Sequence, residues 1–436
     1  MVRTSGAGRL RGAAHPPLHS LDKPGLTWPF PWIHLGWGHL PDTIEGDLVR
    51  DEAITYDASR IRVLEGAEAV RTRPGMYIGS TGARGLHQLV FEVTARAVDE
   101  ALTGRTGSVG VTLVADGAVR VADDGPGIPF GAAEAGDGPG LEALLTDLSV
   151  RSRPVGRCSA AMSFFGMGLA VANALSSRLT AEVRREGVRR VQEYARGVAV
   201  TRPTAAGPAS GSGTTVTFRP DASLLETTEY SFAVLAERFE QLAFLNRGLE
   251  ISLSDERAPG DAQVARFRFP GGVRDFVASL RAATGTPVHT GVIGFEQDDP
   301  RMAGAMEVAL RWCGSREERV RSFANDAATP GGGSHEAGLR EGVAAALDAY
   351  ARARGLLTAT DPGLGADRIG AGLTAVVSVK LDDPAFVGAT RGELSNAEVR
   401  PRVREAVRKH LGAWLEENPE QAAAVVGRIL GADTLR

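Results

Sequence analysis

The chain of 436 residues holds only two cysteines, Cys158 and Cys313, far apart and without CxxC or Cys/His zinc spacing. That excludes a disulfide framework or a zinc knuckle as the organising device, and two separate thiols suit a reducing compartment. No run of about 18 apolar residues occurs, so no segment is built to span a membrane as a helix. The arginines near the amino terminus are not followed by an apolar stretch of signal-peptide type. These absences together point to the cytoplasm and to no membrane partner. Basic residues (49) do not outnumber acidic ones (53), and the formal charge is −4. Bulk electrostatics therefore supplies no grip on DNA, and any DNA contact is expected to be weak or indirect. There is no internal repeat and no GxxxxGK(S/T) loop, so a nucleotide would need a different cradle.

What is present suits a soluble globular protein of two or three domains, with 43% hydrophobic and 23% charged residues. Residues 1–53 stand apart, rich in Pro and Gly with Trp28, Phe30, Trp32 and Trp37, and read as a poorly ordered extension. From Tyr56 the pattern becomes globular. Leu86, Leu89, Val90, Val93 and Ala97 recur at helical spacing and predict a helix over 86–102, with Gly104 beyond its end. Alternating runs at 109–114 and 119–122, joined by Asp116-Gly117, predict a β-hairpin. An irregular segment is expected at 149–163, a small-residue helix from Gly168 through Val171 and Leu175, a strand ending in 215–218, and a loop at 203–213. Beyond Thr227 the pattern predicts helices over 232–245, 335–354 and 396–415 and strands over 305–312 and 374–381. Strands and helices mix in both halves, which indicates two α/β-type domains.

Four polar residues, Gln88, Glu92, Arg96 and Asp99, fall at i, i+4, i+8 and i+11 along one face of the first long helix. After the hairpin comes Asp123-Asp124-Gly125-Pro126-Gly127. A carboxylate followed by glycines at +2 and +4 lets backbone pass beneath a flat ligand while the acid accepts from an exocyclic amine. Gly166-Met167-Gly168 precedes a helix start, where free N–H groups favour phosphate. Gly213-Thr214-Thr215 then opens a strand.

Acidic helix, DxGxG, glycine loop and GTT, in that order, resemble the GHKL ATPase superfamily. The surrounding words narrow the resemblance to the DNA gyrase B family of type IIA topoisomerases: 56–59, Arg71-Thr72-Arg73-Pro74-Gly75-Met76-Tyr77-Ile78-Gly79, 227–230, 242–246, 375–380 and Trp414 to Pro419. The resemblance implies an α/β (α+β) chain: a GHKL (Bergerat) ATPase sandwich over 54–225, then a ribosomal protein S5 domain 2-like transducer over 226–436. By the same resemblance Glu92 polarises the attacking water. Asp123 binds the adenine amine, and Thr214 helps through a shared water. Gly125, Gly127 and Ile128 border the base, Asp99 belongs to the nucleotide pocket, and Gly166, Met167 and Gly168 cradle phosphates. Tyr56 and Ile61 lie in an arm that crosses to a second subunit. Arg391 reaches the γ-phosphate from the transducer. ATP is thus the implied cofactor, a homodimer formed on nucleotide binding the implied assembly, and gyrase subunits the implied partners.

Several positions depart from the family pattern. Where relatives carry an asparagine that ligates Mg²⁺ the chain has Arg96, which has no acceptor; it is expected either to pair with Glu92 or to face phosphate itself. Gln88 replaces a histidine. The lid reads Met162-Ser163-Phe164-Phe165 in place of glycines, and Ala389-Thr390-Arg391 replaces Gln-Thr-Lys. Pro126 and Val191 replace arginines that contact aminocoumarins in relatives, implying weaker drug binding. No acidic cleavage-domain motif is present, so DNA cleavage by this chain alone is not expected. Two functions follow as expectations: an ATP-driven clamp of ATP-hydrolysing DNA topoisomerase type, or a non-catalytic nucleotide sensor, regulator or decoy of gyrase.

Overall fold

The computed structural model describes residues 64–103, 107–130, 140–150, 168–280, 285–388 and 391–431. The expected extension, the arm with Tyr56 and Ile61, the lid through Met167 and most of the 149–163 segment lie outside them. After two short helices, α1 (Gly66–Thr72) and α2 (Gly75–Ile78), α3 runs over Ala83–Thr103. Its apolar stripe, Leu86, Leu89, Val90, Val93, Val98 and Ala101, is buried, as three- and four-residue steps require of one helix face. The stripe packs on the hairpin β1 (Ser108–Leu113) and β2 (Val119–Asp123) and on α5 (Gly168–Ala174). A short helix α4 (Leu141–Thr146) also packs on α5.

Strands β3 (Ser176–Arg185), β4 (Val188–Ala195), β5 (Val198–Ala199), β6 (Thr204–Pro208) and β7 (Gly213–Pro220) complete one side of the first sheet. The order is β5-β4-β3-β7-β2-β1-β8-β9, with β6 on β4. The expected loop at 203–213 therefore contains a strand. Every residue of β6 is exposed, so its Ala/Gly sequence carries no alternation to betray it. The last two strands, β8 (Glu250–Asp255) and β9 (Gln263–Phe267), follow α6 (Phe232–Leu245) in sequence, and β8 pairs in parallel with β1. The first sheet thus takes strands from both sides of residue 225. Ser231 caps α6 by accepting from the Val234 amide.

The second sheet has the order β10-β11-β14-β12-β13, built from β10 (Ile293–Asp299), β11 (Gly304–Trp312), β12 (Arg319–Ala324), β13 (Ala327–Ala328) and the central β14 (Leu373–Leu381). On one face Ala375, Val377, Val379 and Leu381 join a core with α8 (Ser334–Ala353) and α10 (Val399–Glu417), α9 (Ala366–Gly370) packing on α8. On the other, Val376 joins Phe244, Phe276 and Phe323, with α7 (Val273–Ser279) covering it. A near-continuous apolar run is what a strand covered on both faces needs. The expected last helix begins three residues later than 396, because Asn396 holds the preceding turn, accepting from the Ala385 amide at 2.7 Å and donating to Asp383. A further helix, α11 (Pro419–Gly431), follows directly. Pro419 looks like a stop but occupies a first-turn position, where a missing N–H costs nothing.

Helices α8 and α10 meet through Gly338 and Gly342. A Cβ on Gly342 would stand 2.6 Å from Val407 Cβ and 2.9 Å from the Arg404 carbonyl. Helix propensity alone would favour Gly342→Ala by about 1 kcal/mol, yet the overlap opposes it. Chemical denaturation should show Gly342→Ala less stable by about 1.5 kcal/mol. A stabilised variant would mean that the two helices part freely.

Candidate functional site

The turn after β2 and the start of β7 are joined through Asp123, and the turn rests on the polar side of α3 near its C-terminal end, at Glu100. Asp123 is the last residue of β2 and is 5% exposed. Its Oδ1 accepts from the amides of Gly125 (3.0 Å) and Thr214 (3.2 Å), so one oxygen pins the turn to β7. Oδ2 takes no partner among the described residues and is left for another donor. Thr214, itself buried, accepts from the Ile128 amide at 3.1 Å. The neighbouring Asp124 faces the other way and is used up structurally, accepting from the amide and hydroxyl of Ser108. Burial raises the Asp123 carboxyl to about 7, outweighing the two amide hydrogen bonds; nearby Glu100 pushes it further up and Arg96 pulls it down.

The two glycines are required by protein backbone. A Cβ on Gly125 would lie 2.7 Å from the Glu100 carbonyl, so the turn rests directly on α3. Gly127 has φ +82, and a Cβ there would meet the Arg184 carbonyl at 2.7 Å.

On α3, Glu92, Asp99 and Glu100 are all buried, at 4%, 4% and 7% exposure. Gln88 Nε2 donates to Glu92 Oε1 at 2.9 Å, so the glutamine in place of a histidine fixes the acid's orientation. Arg96 forms an ion pair with Glu100, one turn on, a partner that neither sequence alternative anticipated. Glu100 is thus a site residue the sequence reading passed over, although its i,i+4 spacing from Arg96 was a signal. His87 is another. The Ser231 amide donates to its Nε2 at 2.9 Å, so its Nδ1 carries the proton and donates to the Ala83 carbonyl. This imidazole ties α3 to the cap of α6.

Hydrogen bonds join Asp123, Gly125, Ile128 and Thr214, and the turn that holds them with Gly127 rests on α3 at Glu100, the partner of Arg96, while Glu92 and Asp99 are buried on the same helix. Gly168 is buried as the first residue of α5. Gly166, Met167 and Tyr56 lie outside the described residues. Arg391 sits on the loop between β14 and α10 with φ +53, its guanidinium 6.0 Å over the Phe386 ring. Among the described residues no cluster of three His, Cys, Asp or Glu side chains is arranged to hold a metal ion, and no helix is long and apolar enough to cross a membrane.

A buried acid at the end of a central strand, pinned to a Gly-Thr strand start and set beside a helix carrying a buried glutamate, places the first half in a definite class of ATPase domain. Residues 81–224 match the family described as histidine kinase-, DNA gyrase B- and HSP90-like ATPase. Residues 272–436 match the DNA gyrase B family model, and the chain belongs to the DNA gyrase B family. It is 43% identical to the DNA gyrase B of Streptomyces coelicolor over 86% of its own length and 57% of that protein. With the gyrase B of Mycobacterium tuberculosis the identity is 38%, over 87% of the chain and 60% of the relative. The chain thus spans a little over half the length of these relatives. Among solved structures, the 43K ATPase domain of Thermus thermophilus gyrase B, bound to an aminocoumarin, matches with TM-score 0.73 and 33% identity, over 85% of this chain and 95% of that one. The ATP-binding domain of Francisella tularensis topoisomerase IV, bound to an inhibitor, matches with TM-score 0.68 and 28% identity, over 84% and 96%.

Proposed function

We propose that the chain is a cytoplasmic ATP-binding and dimerisation module of gyrase B type, serving ATP-dependent topoisomerase chemistry together with gyrase subunits and touching DNA only indirectly. The observation that carries this reading is Asp123: buried, fixed through Oδ1 by two amides, with Oδ2 left to accept from the adenine amine. Thr214 assists the base through a shared water, and Ile128 walls the pocket. Glu92, oriented by Gln88, accepts a proton from the water that attacks the terminal phosphate. Gly166, Met167 and Gly168 wrap the phosphates, Arg391 faces the γ-phosphate from the transducer, and the arm with Tyr56 embraces a second copy.

The ATPase class implies Mg²⁺, but the residues here do not fit it. At the turn after Glu92, where an oxygen donor is needed, Arg96 offers only N–H groups and a fixed positive charge. This same substitution favours a second reading, in which nucleotide is held without turnover and the module acts as a sensor, regulator or decoy.

Steady-state turnover with wild type and Glu92→Ala separates the two. The clamp reading expects phosphate release by the wild type that falls by at least about 100-fold in Glu92→Ala, with ATP affinity little changed. ATP bound by the wild type with no release in either protein selects the sensor. No ATP binding at all refutes both.

A further inference from the structure

Arg96 lies between the two ends of the proposed nucleotide. Glu92 is one helical turn before it, about 6 Å along the axis, and one turn after it Glu100, which holds its guanidinium, carries the turn of Asp123 and Gly125 on its backbone carbonyl. A nucleotide with its base on Asp123 and its terminal phosphate at Glu92 passes Arg96 in the middle. The surroundings are acidic: Glu92, Asp99 and Glu100 are buried on the same helix face. Like charges buried together need a counter-charge, and Arg96, with its side chain only 12% exposed, is the guanidinium in that column, held by Glu100. A guanidinium stays protonated at any working pH and cannot bind a divalent ion.

We propose that Arg96 is the built-in cation of this site, so that the chain selects the metal-free nucleotide polyphosphate over its Mg²⁺ complex. The inference rests on the ATP-binding reading. Arg96 then contributes fixed charge-assisted hydrogen bonds to phosphate oxygens, and a divalent ion brought in on the nucleotide meets like charge at the place where it would need a ligand.

Calorimetric titration of the full chain with a non-hydrolysable ATP analogue, in excess EDTA and in excess Mg²⁺, tests this. The wild type should bind at least as tightly in EDTA, whereas Arg96→Asn should lose about tenfold or more in EDTA and recover it with Mg²⁺. Arg96→Lys should keep the metal-independent behaviour in part. Mn²⁺ with the analogue gives a readout independent of affinity: the paramagnetic signal of protein-bound Mn²⁺ should appear in Arg96→Asn and stay absent in the wild type. Wild-type binding about tenfold tighter in Mg²⁺ than in EDTA overturns the inference while leaving the ATP reading intact. Absence of binding in both conditions overturns both. Should Arg96→Asn fail to fold, the wild-type comparison decides alone.

Discussion

Replacing Asp123 by Asn should weaken ATP binding by about 100-fold, because a charge-assisted hydrogen bond to the base becomes a neutral one and the amide's own N–H groups face the adenine amine. The wild-type affinity should depend on pH in a way the variant's does not. With the carboxyl near 7 in the free protein, a base amine selects the ionised form. Affinity should then rise about tenfold from pH 6 to pH 8 and level off above. Stability should move oppositely. The folded pKa is raised above the ordinary 3.8, so between those values the native state holds a proton that the unfolded chain has released. Asp123 therefore favours folding most at acid pH, and that contribution drains away as pH rises to 7, by on the order of 4 kcal/mol. His335 works against this trend, since burial pushes its imidazole down to about 4, so the difference between wild type and Asp123→Asn isolates the aspartate. Denaturation at pH 5 and pH 8 should find the variant relatively more stable at pH 8. Equal pH dependence in both proteins would contradict the assignment of a raised carboxyl at this position.

Gly125→Ala should damage both stability and binding. The added methyl would stand 2.7 Å from the Glu100 carbonyl and 3.0 Å from Asp123 Oδ1. The turn must lift off α3, breaking the Gly125 hydrogen bond that fixes Asp123. A loss of about 3 kcal/mol on denaturation is expected, with ATP affinity falling at least about tenfold. Unchanged values for both would show that the turn does not rest on α3 in solution.

Strong local periodicity made much of the fold readable. Phe232–Leu245 has the bounds its pattern predicted, and Asp116-Gly117 announced the β1–β2 hairpin. What escaped lacked a local signal. The exposed β6 has no apolar face, and α11 hides behind Pro419. The parallel pairing of β1 with β8 joins residues some 140 apart, a match no short window contains. At the site, motif order pointed to Asp123, Thr214 and Glu92. The pairing of Arg96 with Glu100 was not legible, because i,i+4 spacing offers Glu92 on one side and Glu100 on the other. The reason for Gly125 was also hidden: its space is claimed by the backbone of a helix more than twenty residues upstream.

The most direct test is a crystal structure of the chain with a non-hydrolysable ATP analogue bound. The adenine exocyclic amine should lie about 3 Å from Asp123 Oδ2, with the phosphates running along α3 toward Glu92. A base bound elsewhere, or Asp123 turned away from it into a contact with protein side chains, would contradict the account.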